Sequence, residues 1–225
     1  MRGKVFRHDM TMMFAIHDAL RRDLERLARV AARTDDDPWH ILRVGTGWDL
    51  FRRYLRVHLG AEDDLLWPVL RKALADRPDE LGVIAVMEAE HATFEPLLDA
   101  IDAALADRDT GSLRLGDLLD GLVSGLRGHL GHEEDEALPL IDAVVSAEQM
   151  RRFGAEHGRR VGSGTCRYLP WLLDHASAES TAIILGQLPD SVRPTYLNLW
   201  QPAYDAQDPW GTRGSRPTVR RTRGT

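Results

Sequence analysis

The chain has almost no cysteine: Cys166 is the only one among its 225 residues. A single thiol cannot form a disulfide within the chain, and it cannot supply the several thiolates that structural zinc or iron–sulfur sites need. A metal bound by this chain alone must therefore be held by histidine and carboxylate side chains.

Long apolar runs are also missing, and no stretch approaches the ~20 apolar residues needed to cross a bilayer. The first nine residues include basic side chains, but neither an apolar segment nor a small-residue cleavage site follows them. We therefore expect no membrane partner and no secretion signal, and we predict a cytoplasmic location.

Positive charge is not in excess: the whole chain has 29 Lys and Arg and 35 Asp and Glu, for a formal net charge of −6. We expect no nucleic-acid partner for the main body. The end differs, since Gly211 to Thr225 holds five arginines and no acid. Such a stretch is typical of a solvated end, so we predict a disordered basic tail over residues 206–225. Contact of the tail with nucleic acid or a membrane is the less favoured alternative.

Strand-like alternation is absent, and apolar residues recur every three or four positions, as on one face of a helix. Four such segments cover residues 10–32, 39–75, 80–106 and 112–145, with Asp37-Pro38 as a typical helix start for the second. Short connections of this kind join antiparallel neighbours. The sequence therefore predicts an all-α protein with an up-down-up-down four-helix bundle over residues 8–145.

A helical C-terminal extension is predicted over residues 146–205, packed on the bundle. Ser146 and Gln149 have the spacing of a capping box that opens a fifth helix. Glycines at 158, 162 and 164 indicate a linker after it. Three aromatic residues then recur every four positions, namely Tyr196, Trp200 and Tyr204. We expect this stripe to pack on the bundle rather than to form a ligand or partner site.

A repeated frame indicates a metal site. His58-Leu59-Gly60-Ala61-Glu62 and His129-Leu130-Gly131-His132-Glu133 share the pattern His-Leu-Gly-x-Glu, and a proline follows each after five residues. Residues four apart lie on one face of a helix, so each frame places an imidazole beside a carboxylate. The two frames are interpreted as two halves of one site.

Two further histidines complete the set, His17 in the first segment and His91 in the third. At ~1.5 Å of rise per residue, and with helices alternating in direction, the two histidines and the glutamates of the two frames fall within about one turn of the same height in the bundle. A buried polar network without metal is the alternative interpretation. A mixed imidazole and carboxylate set of this size favours two six-coordinate irons, and manganese or zinc fits less well.

The arrangement resembles the hemerythrin-like family, also called HHE cation-binding proteins, over residues 10–145. Its pattern of one His, His-x3-Glu, one His and His-x3-Glu is matched in order by six residues: His17, His58, Glu62, His91, His129 and Glu133. The prolines after the two frames are Pro68 and Pro139. The resemblance implies a non-heme di-iron centre, bridged by Glu62, Glu133 and an oxo or hydroxo ligand.

The chain departs from the oxygen-carrying members at two positions. Those members have a second His four residues after the third-helix His, where this chain has Glu95, which we take as a possible additional ligand. They also place the last carboxylate five residues after the fourth-helix His, at Glu134, but we retain Glu133 because it repeats Glu62. His132 is expected to be exposed. The alternatives are a hydrogen-bond donor to one of the ligands and a proton relay.

Three functions stay open at this stage. The first is binding of O2, or of NO or peroxide, for storage, delivery or sensing, with Phe14, Met87 and Phe94 as lining. The second is a di-iron oxidase, oxygenase or peroxide-removing enzyme, favoured by Glu95 and served by a redox partner. Tyr54 could be a hydrogen-bond donor or redox partner near such a site, although core packing is the favoured interpretation for it. The third is an iron-responsive regulator.

Overall fold

The chain folds as a bundle of helices, described for residues 5–32 and 45–211 in a computed structural model. No strand occurs within those two ranges, and the predicted all-α class with a four-helix bundle is confirmed. The bundle consists of α1 (Thr11–Ala31), α2 (Gly47–Leu65), α3 (Trp67–Ala73), α4 (Pro78–Ala106), α5 (Gly111–His132), a π-helical turn (Glu133–Ala137) and α6 (Leu138–Val144). The predicted start of the second segment, with Asp37 and Pro38, lies outside the described residues.

Amphipathic spacing explains why these segments are helices. In α1, every third or fourth residue is buried, and the stripe includes Met13, Leu20, Leu24 and Leu27. In α4, Pro78 occupies the first turn, where its missing N–H costs no hydrogen bond, and Asp79 and Glu80 suit the positive end of the helix dipole.

The second and fourth bundle helices are interrupted at matching places, which the sequence did not predict. The second breaks at Leu66, between α2 and α3, and the fourth widens into the π-helical turn before α6. Pro68 and Pro139 each lie at the start of the helix that follows. A proline lacks the N–H that would bond the carbonyl four residues earlier, so the backbone before it loosens. The proline of the repeated frame therefore marks a local irregularity beside Glu62 and Glu133.

The extension is helical, as expected, and covers one side of the bundle. Its elements are α7 (Ala147–Val161), a 3₁₀ turn (Gly162–Gly164), α8 (Thr165–Leu173), α9 (Ala178–Gly186), α10 (Val192–Thr195), a second π-helical turn (Tyr196–Trp200) and α11 (Gln201–Gln207). The Ser146 hydroxyl accepts from the Gln149 N–H at 3.2 Å, and the Gln149 side chain accepts from the Ser146 N–H at 2.8 Å, so the predicted capping box is present.

The glycine-rich linker is corrected to a tight turn. Gly158 lies within α7, and the chain turns only at Gly162, whose φ of 58° is in the region that favours glycine. The described structure also continues past residue 206, the predicted start of the tail. Trp210 is buried, the Gly47 N–H donates to the Pro209 carbonyl at 2.7 Å, and a side chain at Gly47 would collide with the Trp210 ring. The arginines beyond 211 lie outside the described residues.

A network of hydrogen bonds and ion pairs around Asp23 and Arg26 of α1 holds the extension against this helix. The Asp23 carboxylate is fully buried, accepts from the Arg26 guanidinium at 3.0 Å and accepts from the Trp171 indole N–H at 2.7 Å. Arg26 also donates to Asp174 at 2.7 Å, and the Tyr204 hydroxyl donates to the same carboxylate at 3.3 Å. Helices α1, α8 and α11 therefore share one polar network.

Among the described residues, none of the helices combines the length and the apolar character that crossing a bilayer requires.

Replacing Asp23 with alanine should lower the free energy of unfolding by about 1 to 3 kcal/mol, because the Trp171 N–H would remain buried without an acceptor and Arg26 would keep Asp174 but lose Asp23. Urea unfolding of the metal-free protein measures this change. Asp18→Ala, on an exposed turn of the same helix, is the control and should change stability by less than about 0.5 kcal/mol. Equal effects of the two substitutions would contradict a structural role for this network.

Candidate metal centre

Four buried histidines, one from each bundle helix, meet as two pairs. The Nε2 atoms of His17 and His58 lie 3.1 Å apart, and those of His91 and His129 also lie 3.1 Å apart. Imidazole nitrogens bound side by side to one metal ion at about 2.1 Å lie about 3 Å from each other. Each pair therefore has the spacing of two adjacent ligands on one ion.

Two buried glutamates reach both pairs. The oxygens of Glu62 lie 3.3 Å from His58 Nε2 and 3.7 Å from His91 Nε2. One oxygen of Glu133 lies 3.2 Å from His17 Nε2 and 3.9 Å from His129 Nε2. Each carboxylate thus spans the gap between the pairs, which is the position of a bridge between two ions. The atoms of His17, His58, Glu62 and Glu133 fall within 4.8 Å of one another.

This polar layer separates two apolar clusters of the core. On one side lie residues such as Leu20, Leu55 and Leu126, and on the other lie residues such as Met87 and Leu138. All six ligand candidates are buried. The structure thereby brings the six predicted residues to one level of the bundle.

The two glutamates carry the strongest sign of a cation. All four of their carboxylate oxygens are buried, and none makes a hydrogen bond of regular geometry among the described residues, although one oxygen of Glu133 lies 3.2 Å from His17 Nε2. Leaving buried carboxylates without partners is expensive, and a bound cation removes that cost. The residues therefore fit a cationic group better than they fit a metal-free polar network.

Shifted pKa values reflect the same crowding. Burial and the nearby Glu133 charge hold the pKa of Glu62 well above its usual range. Although burial opposes it, the Glu133 carboxylate raises the pKa of His17 to about 9. Burial and the neighbouring histidines hold the pKa of His58 well below its usual range. Neighbouring groups of one residue type thus titrate far apart, as they do at functional sites.

Three of the four histidines are oriented by a carboxylate behind the ring. The Nδ1–H of His17 donates to Glu134 at 2.8 Å, that of His91 donates to Asp63 at 2.7 Å, and that of His129 donates to Glu90 at 2.8 Å. These bonds fix the tautomer that leaves Nε2 free to bind a metal. Glu134 also accepts from Arg21 at 2.6 Å, and despite partial burial these partners lower its pKa to about 2.

Our sequence reasoning missed Asp63 and Glu90, although a signal for them exists. Each orienting carboxylate directly follows or precedes a ligand candidate in sequence, yet it serves a histidine of another helix. Asp63 follows Glu62, Glu90 precedes His91, and Glu134 follows Glu133. A ligand faces the core, so its neighbour in sequence lies at the edge of the helix, within reach of the adjacent helix.

The expectation that His132 is exposed is wrong. Its Nδ1–H donates to Glu90 at 3.1 Å, and only 27% of its side chain is exposed. Glu90 therefore holds His129 and His132 together. His132 supports the orienting carboxylate and does not reach the metal candidates.

Glu95 lies away from the site, which corrects its assignment as a possible additional ligand. Its carboxylate accepts from the Arg56 guanidinium at 3.0 Å and is 58% exposed. The buried stripe of α4 passes through His91, Phe94 and Leu98, so position 95 falls on the flank of the helix. Rotation of α4 about its axis, rather than spacing along it, decides this.

Of the other residues predicted near the metal site, one packs in the core and two lie beside the ligand candidates. Tyr54 is buried against Tyr168 and Trp171, with ring centroids at 5.0 and 4.7 Å, and its hydroxyl donates to the Gly164 carbonyl at 3.4 Å. Tyr54 is thus a packing residue. Phe94 lies against the His129 ring with centroids 5.5 Å apart, and Met87 belongs to the apolar cluster beside the site.

A groove of about 560 Å³ lies between α4 and α5 and is open to solvent. Small residues form its walls, among them Ala85, Ala89, Gly125 and Gly128, while Phe94 and His129 also line it. The groove therefore borders one ligand candidate, His129, which is itself buried.

The fold and the site define a four-helix-bundle protein with a buried histidine and carboxylate centre for metal cations. The family model of the hemerythrin HHE cation binding domain matches residues 8–141, and the chain belongs to this family. It is also 22% identical over 201 residues to a zinc finger protein, BRUTUS-like, of Arabidopsis thaliana. That match covers 84% of this chain but only 16% of the relative. No solved structure matches the chain significantly.

Removing the carboxylate of Glu134 should lower metal affinity about 10- to 100-fold, because His17 would lose the bond that aims its Nε2 inward. Glu134→Ala tests this by chelator competition. Asp18→Ala is the control, since Asp18 is adjacent in sequence to a ligand candidate but is exposed. Unchanged affinity in Glu134→Ala would show that His17 needs no orienting partner.

Proposed function

We propose that this protein is a non-heme di-iron protein that binds O2, or a related small molecule such as NO or peroxide, for storage, delivery or sensing. The observation that carries the proposal is that Glu62 and Glu133 span the gap between the two histidine pairs. Two ions that share these carboxylates account for both pairs, whereas a single ion would leave one pair without a function.

Iron is favoured by the donor set. Imidazole nitrogen mixed with carboxylate oxygen suits iron, and six protein ligands exceed the four that zinc takes in a tetrahedral site. A di-iron centre would supply reversible electron transfer to a small redox-active ligand such as O2. His17 and His58 would hold one iron, His91 and His129 the other, and the two glutamates would bridge them.

Burial favours small ligands. The centre lies between two apolar clusters, and such surroundings suit uncharged diatomic molecules better than ionic substrates. Phe94 lines the groove and packs against the His129 ring, so a change at Phe94 should alter access to the centre from the groove.

An oxidase, oxygenase or peroxide-removing enzyme is the second candidate. Glu95 no longer supports it, since that carboxylate pairs with Arg56. The groove does support it, because a volume of about 560 Å³ exceeds the needs of a diatomic ligand. Net consumption of peroxide, or of a reductant together with O2, would favour the enzyme over the carrier.

Reconstitution with ferrous iron under anaerobic conditions tests the proposal. We expect about two irons per chain, a near-ultraviolet charge-transfer band after O2 is added, and loss of the band when O2 is removed. A chain that takes up one iron or none would contradict the di-iron assignment, and a band that never reverses would contradict the carrier role.

Single ligand variants should affect both irons, since the bridges couple them. His58→Ala and His129→Ala each remove a ligand from a different pair, and both should lower the iron content to about one per chain or less. His175→Asn is the control, because His175 is exposed and adopts a positive φ that asparagine tolerates. Full iron content in both alanine variants would refute the ligand set.

Metal removal should destabilise the protein, because the Glu62 and Glu133 carboxylates would stay buried without a cation. Urea unfolding before and after chelation measures the effect. We expect the unfolding midpoint to fall on chelation, and an unchanged midpoint would contradict a cation held at these glutamates.

A further inference from the structure

One ligand histidine lacks the carboxylate that the other three have. The Nδ1 atom of His58 is buried and has no hydrogen-bond partner among the described residues. By contrast, the Nδ1 atoms of His17, His91 and His129 lie within 2.8 Å of a carboxylate oxygen. An unpartnered nitrogen behind a metal ligand leaves the ring's tautomer and orientation unfixed.

The extension places a second histidine beside it. His157 of α7 is buried, and its ring centroid lies 6.4 Å from that of His58, with the planes at 71°. The Nε2 atom of His157 is also buried without a partner among the described residues. Helix α7 is fastened against α2 by Arg160, which donates to Asp64 at 2.5 Å.

A third unpartnered polar atom belongs to a ring that packs against His157. The Tyr168 hydroxyl is buried without a partner among the described residues, and its ring centroid lies 5.8 Å from that of His157. Leaving a buried polar group unpaired costs about 1–3 kcal/mol, so three neighbouring groups would be a substantial expense. Polar sites of this kind normally hold ordered water.

The separation of the rings excludes a direct bond and suits one bridging water. Even with the two nitrogens turned toward each other, centroids at 6.4 Å keep them beyond the about 3.2 Å reach of a direct hydrogen bond. A water between two polar groups spans such a gap and is nearly as favourable in enthalpy as a direct bond.

Coverage by α7 explains why a histidine occupies this place. The carboxylates of Asp63, Glu90 and Glu134 all retain contact with solvent. The face of α2 behind His58 lies under α7, where a carboxylate would be a buried charge. An imidazole can accept a hydrogen bond there without carrying charge.

We propose that His157 is the positioning residue for His58, accepting its Nδ1 hydrogen through one bridging water, so that the C-terminal extension completes the outer shell of the metal centre. This inference rests on the proposed iron site. It assigns the extension a direct role in metal binding in addition to packing.

Two substitutions at 157 separate polarity from packing. His157→Phe keeps an aromatic ring but removes the acceptor, and His157→Gln keeps an acceptor. Phe153→Leu, one turn earlier on α7 and also against the His157 ring, is the matched packing control. The readouts are iron affinity by chelator competition, the optical spectrum of the iron-loaded protein, and urea unfolding of the metal-free protein.

We expect His157→Phe to lower iron affinity about 10- to 100-fold and to alter the spectrum, while the metal-free protein stays as stable as the wild type. His157→Gln should recover most of the affinity, and Phe153→Leu should leave the spectrum unchanged. Wild-type affinity and spectrum in His157→Phe would overturn the inference alone. Losses in His157→Phe and Phe153→Leu that simply follow stability would also overturn it. Failure of the wild-type chain to bind iron would overturn the proposed function as well.

Discussion

Two buried carboxylates, those of Glu62 and Glu133, place the strongest demand on this fold. Their oxygens make no hydrogen bond of regular geometry among the described residues and lie among four imidazoles that also require polar contacts. Such a layer is stable only with a compensating charge. The apolar clusters on either side fix the layer at one level, since they pack against the ligand-bearing turns of all four helices.

The bundle supports this layer by linking each helix to its neighbours. An orienting carboxylate adjacent in sequence to one ligand holds a histidine on another helix, as Asp63 does for His91 and Glu90 does for His129. The relative rotation of the helices is therefore fixed by hydrogen bonds as well as by packing. The same bonds aim the Nε2 atoms inward, so the contacts that stabilise the fold also preorganise the site.

The extension replaces solvent on one side of the bundle. Trp171 and Asp23 anchor it to α1, and α7 lies over α2. On that side an outer carboxylate would have no access to water, and a neutral polar ring is the less costly partner for a ligand. Membership of the hemerythrin HHE cation binding family accounts for residues 8–141. The extension is what distinguishes the metal centre proposed here from that of a bare bundle.

The amino-acid pattern was enough to predict the helical class, the four segments and the six residues that meet at one level, because periodicity and rise per residue are local properties. Which residues beside the ligands turn inward depends on contacts between helices. Glu95 repeats the His-x3-Glu spacing of Glu62 yet pairs with Arg56, since the rotation of each helix is set by packing against its neighbours. Pairings between helices, such as Glu90 with His129 and His157 beside His58, depend on that rotation, so local spacing does not say which histidine each residue meets.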